Sequence, residues 1–99
     1  GKTGFEKDLG ADTGTTVTLR LNHSKPVLVS IKMTGVEYDW NGDGEIALTG
    51  VEKGLIRATV QQTGDKDMRT RIPIQEGKQC VYELNLSEGA TDWSESCSG

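Results

Sequence analysis

From Thr16 onward the chain alternates between apolar and polar positions. The run TTVTLRL sets Val17, Leu19 and Leu21 on one side and Thr16, Thr18 and Arg20 on the other, the period-two pattern of a strand with one buried face. After the turn NHSKP, VLVSIKM repeats it, with Val27, Val29, Ile31 and Met33 inward and Leu28, Ser30 and Lys32 outward. Val36, Tyr38 and Trp40 continue beyond Gly35, and Ile46 and Leu48 resume beyond NGDG. In VEKGLIRATVQQ, Gly54 interrupts any helix and no helical stripe is sustained. LIRATV reads as a strand, with Ile56, Ala58 and Val60 on one face. TGDKD is a turn. RTRIPI then aligns Thr70, Ile72 and Ile74; Pro73 has no N–H for a ladder, which marks a sheet edge or a strand end. After EGK, QCVYELNLS aligns Cys80, Tyr82, Leu84 and Leu86.

Short strands at roughly 8–12-residue spacing, joined by turn signals, predict an all-β antiparallel β-sandwich, Ig-like or transthyretin-like, of about six to seven strands. No long helix separates the strands, so a parallel α/β sheet is not expected. Residues 1–14 (GKTGFEKDLGADTG) read as an extended leader with Phe5 as an anchor, and residues 15–99 as a single sandwich domain. Ninety-nine residues leave room for one modest core. With only 5% aromatic residues, that core rests on Val, Ile and Leu.

Charge and cysteine usage narrow the function. A net charge of −4 argues against nucleic acid, which needs a basic face to displace counterions. The one basic cluster, KDMRTR (residues 66–71), is interrupted by Asp67 and reads first as the solvated face of a strand, with phosphate or polyanion binding as its other reading. No run reaches the ~18–20 apolar residues of a transmembrane segment, and the opening GKTGFEKD carries no signal-peptide core. Cys80 and Cys97 form neither a C-x-x-C motif nor, with a single histidine, a zinc site. They are two free thiols of a reducing compartment or one disulfide. The disulfide is favoured because it gives the polar tail around Cys97 a reason to dock.

Catalytic signals are few. His23 lies in a turn, no serine sits in G-x-S-x-G, and no glycine-rich turn leads from strand to helix. The chain is expected not to be an enzyme. Its most chemical stretch is YDWNGDGEIALT (38–49). Asp39, Asn41 and Asp43 at alternate positions, the Glu45 carbonyl and the sharp turn at Gly44 resemble the EF-hand and dockerin calcium loop, and Ile46 falls at its apolar position. The twelfth position is Gly50 where that loop carries an acid, and both flanks alternate as strands. Two readings stand: a strand–loop–strand Ca²⁺ site as the only cofactor, or a plain N-G/D-G hairpin turn. Tyr38, Trp40 and Trp93 are the candidate ligand-binding aromatics, with core packing the more economical role for the first two. Two Asn-x-Ser triplets, at Asn22 and Asn85, matter only in a glycosylating secretory route.

TVTLRLNHSKPVLVSIKMTGV, the run IPIQEGKQCVYELNL with Gly77 and Tyr82, and the closing ATDWSES are similar to fimbrillin-like proteins of the Bacteroidetes cell surface. The resemblance implies a secreted lipoprotein with β-sandwich domains, serving as a pilus subunit or adhesion component, with no catalytic residues to carry over. The expected role is therefore a non-catalytic, extracytoplasmic binding or adhesion/assembly module of a bacterial surface protein, with a protein or glycan partner. A carbohydrate-binding module and a small secreted hydrolase inhibitor are the alternatives.

Overall fold

The computed structural model describes residues 2–87 and 90–99. They form nine strands and no helix: β1 (Phe5–Asp8), β2 (Thr16–Asn22), β3 (Val27–Met33), β4 (Val36–Trp40), β5 (Glu45–Thr49), β6 (Leu55–Gln62), β7 (Met68–Pro73), β8 (Gln79–Ser87) and β9 (Ala90–Ser98). Seven of these match the alternating runs of the sequence. The two additional strands are β1, inside the expected leader, and β9, in the polar tail.

The strands make two packed sheets, ordered β1-β5-β2-β8-β9 and β4-β3-β6-β7. The second sheet is wholly antiparallel. The first is mixed, because β1 runs parallel to β5 and β2 runs parallel to β8. The structure is a β-sandwich, as the alternation predicts, with parallel pairs that no local pattern signals.

Alternation decides what lies between the sheets. Val17, Leu19, Ile46, Leu48, Tyr82 and Leu84 of the first sheet meet Val29, Ile31, Trp40, Ile56, Val60 and Ile72 of the second, all essentially excluded from solvent. Ala58 is buried as well, a small residue in a row of larger ones. Pro73 ends β7, which is an edge strand, so its missing donor interrupts no ladder.

Polar atoms tie the connections to this core. The buried Thr15 accepts from the Gly77 amide at 2.8 Å, joining the β7–β8 turn to the start of β2. The Thr13 hydroxyl donates to the Val51 carbonyl at 2.6 Å. Gly77 has φ +79°, a left-handed conformation the tight turn requires and that glycine adopts without strain.

Strand β9 has little apolar surface and is held differently. Cys80 and Cys97 are register partners and are joined by a disulfide, with Cα atoms 4.0 Å apart. Trp93 packs edge-to-face on Tyr82, with ring centroids 5.8 Å apart.

Replacing both cysteines by alanine is expected to lower stability by about 3 kcal/mol, the chain-entropy value for a loop of this size. Urea unfolding of the variant, or of the wild-type chain under dithiothreitol, measures it. Amide exchange across residues 90–98 should rise more than across β3 or β6.

Candidate functional site

Two turns and the N-terminal segment converge at one corner of the sandwich. The segment NGDG links β4 to β5, and both of its glycines have positive φ, +84° at Gly42 and +71° at Gly44. The Trp40 indole donates to the Asp43 carbonyl at 2.8 Å, and the Asp43 amide donates to Asn41 Oδ1 at 3.0 Å. The N-terminal segment lies across this turn: Asn41 N–H donates to the Lys2 carbonyl and Gly4 N–H to the Asp43 carbonyl, both at 2.9 Å. A Cβ on Gly4 would run into the Glu45 backbone, so only glycine allows so close an approach.

The third contributor is the β2–β3 turn. His23 is half-buried, its Nε2 3.1 Å from Asp43 Oδ1 and its Nδ1 2.9 Å from the Lys25 carbonyl. Gly42 is buried beneath it. A Cβ there would come within 2.9 Å of His23 Nε2 and 2.8 Å of the Leu21 and Val27 methyls.

The candidate calcium ligands have the following surroundings. Asn41 Oδ1 closes the turn, Asp43 faces His23, and the Glu45 carboxylate pairs with Arg20. Asp39 is exposed on the outward face of β4, opposite Ser30. Among the described residues no three His, Cys, Asp or Glu side chains gather as a metal site.

The aromatic candidates separate as well. Trp40 is fully buried and offers no ring face to a ligand. Tyr38 is half-buried between Phe5, with centroids 5.1 Å apart, and Lys7, whose Nζ is 5.8 Å from its ring centre. Trp93 is half-buried on β9 against Tyr82. The Tyr82 hydroxyl donates to the Pro73 carbonyl at 3.3 Å, bridging the two sheets.

The feature that single-strand patterns do not show lies on the outer face of the four-stranded sheet. Lys32 on β3 stands between Glu37 on β4 and Arg57 on β6, and Arg57 in turn stands opposite Arg71 on β7. Arg69 lies one outward position further along β7. All four are exposed, and among the described residues none is in an ion pair. The opposite face of the sandwich is arranged differently. There Arg20 stands between Glu45 and Glu83 in register, with Glu6, Asp8 and Asp92 on the same outward side. The KDMRTR cluster thus extends across three strands through residues distant in sequence.

No protein-family model matches the chain, and no curated protein matches it at a significant level. A solved structure shares its fold: a provisionally assigned cell adhesion protein from Bacteroides ovatus, at TM-score 0.50 and 12% identity, with 83% of this chain aligned to 43% of that one. The chain thus spans less than half the length of that neighbour.

Gly42→Ala is expected to destabilise the fold by about 1–3 kcal/mol, because it places a side chain in a left-handed conformation at a filled position; thermal melting measures it. Burial, with the nearby Glu95 charge adding to it, pushes the Tyr82 phenol up to about 12. The unfolded chain releases this proton near pH 10. Stability is therefore intact below about pH 10 and falls as pH rises toward 12. A tyrosinate absorbance titration should show a step near pH 12 that Tyr82→Phe deletes.

Proposed function

We propose that the chain is a non-catalytic, extracytoplasmic binding module of the adhesion or assembly type, part of a bacterial surface protein. The observation that carries this reading is the sandwich itself, whose fold is shared with the provisionally assigned adhesion protein from Bacteroides ovatus. Two features of the chain support it. A disulfide fastening an edge strand belongs to an oxidising compartment. A flat face with four cations in no ion pair among the described residues leaves those charges available to a partner. The polar corner around NGDG serves the fold in this reading, because its side chains are taken up in closing turns.

Beads coated with the disulfide-intact chain are expected to be retained on cell layers under flow at least roughly tenfold better than beads coated with the reduced and alkylated chain, since many weak contacts multiply on a bead. Equal retention of the two on bacterial and mammalian cells alike would overturn the adhesion reading.

A further inference from the structure

We propose that the outer face of the β4-β3-β6-β7 sheet binds an acidic polysaccharide through Lys32, Arg57, Arg69 and Arg71. The inference rests on the adhesion reading and supplies its ligand class.

The first argument is energetic. Like charges directly opposite each other on neighbouring strands destabilise a sheet, and this face has two such pairs, Lys32–Arg57 and Arg57–Arg71. The same chain does the reverse on its other face, where Arg20 is set between Glu45 and Glu83. Lys32 also faces Glu37 on β4, so the unrelieved conflict centres on Arg57 and Arg71, and in a protein of net charge −4 it brings no structural benefit. An anionic ligand removes the conflict.

Geometry narrows the ligand. Strands lie about 4.8 Å apart, so Lys32, Arg57 and Arg71 form a line about 10 Å long, with Arg69 about 7 Å further along β7. A line of cations suits an extended polymer with repeated anionic groups. Three of the four are arginines, whose paired N–H donors fit a carboxylate or sulfate. The neighbouring row, between Asp39 on β4 and Arg69 on β7, carries Ser30 and Thr59, which can hydrogen-bond sugar hydroxyls.

Other polyanions fit less well. The outward positions of these four strands carry no aromatic residue on which the bases of a single strand would stack. The acidic balance of the whole chain opposes duplex DNA. A second copy of the chain has a complementary acidic face, and sedimentation tests that occupant directly.

The experiment measures binding of the intact chain to polygalacturonate, dextran sulfate and neutral dextran. Wild type is expected to bind either acidic polymer and not neutral dextran, with affinity falling as salt rises. The Arg57→Gln/Arg71→Gln variant should lose at least roughly tenfold in affinity. Its melting midpoint should stay level or rise by roughly 1–5 °C as the like-charge pairs are relieved, which shows that it folds. Arg20→Gln, on the other face, should bind as wild type does.

The assignment is overturned by no binding of either acidic polymer at low salt, by equal binding of neutral dextran, or by a double variant that binds normally. It is overturned too if duplex DNA or phosphatidylglycerol vesicles bind more tightly than the polysaccharides, or if the chain alone self-associates through these arginines at low salt. Bead retention that survives excess polygalacturonate would leave adhesion standing and remove the polysaccharide as its ligand.

Discussion

The fold depends on a pairing between segments some sixty residues apart. Strand β2 runs parallel to β8 from Thr16↔Gln79 to Asn22↔Asn85. This ladder places β8 inside the five-stranded sheet, between β2 and β9, with Tyr82 buried in the core. The disulfide, the Tyr82–Trp93 contact and the Tyr82–Pro73 hydrogen bond all follow from where β8 lies. A pairing between distant segments is slow to form, because loop-closure entropy is lost before the contacts are made. The hairpins of the other sheet, β3–β4 and β6–β7, are local and free of that delay.

The two outer faces treat charge oppositely. On the five-stranded sheet an arginine sits among carboxylates, so the register itself neutralises it. On the four-stranded sheet acids and bases are sorted by strand: Glu37 and Asp39 on β4, arginines on β6 and β7. The face therefore has an acidic edge and a basic edge. A strand with one wet face needs only polar residues there; their sorting by sign is not a requirement of solubility. This asymmetry gives the molecule a direction.

Much of the sandwich was legible because burial imposes a period of two on each core strand. Val17, Leu19 and Leu21, or Ile56, Ala58 and Val60, state their face without reference to any partner. Strand β1, FEKD, has one apolar residue in four, and β9 places Glu95 and the disulfide cysteine among its inward positions. Both are edge strands held by ladder bonds and a cross-link, so hydropathy carries no trace of them. Asp39, Asn41, Asp43 and Gly44 stated a tight turn correctly, but the long-range partners of Asn41, Asp43 and Glu45 come from residues 2–4, 20 and 23. Arg57 and Arg71 are fourteen positions apart in sequence and opposite each other in space. Register is a property of pairs of strands, and a basic row built from it is visible only once the sheet exists.

The Cys80–Cys97 bridge has a mechanical consequence. Tension applied at the C-terminal end of β9 enters the domain at Cys97 and crosses the sulfur bond to Cys80, at the beginning of β8. Residues 81–96 are bypassed, so pulling on that end cannot unzip β9 from β8 while the bridge is intact. The load passes instead to the ladder between Cys80 and Val17, deep in the five-stranded sheet. A peripheral strand with almost no core of its own is thereby excluded from the force path, and the weakest ladder in hydropathy is not the first to yield.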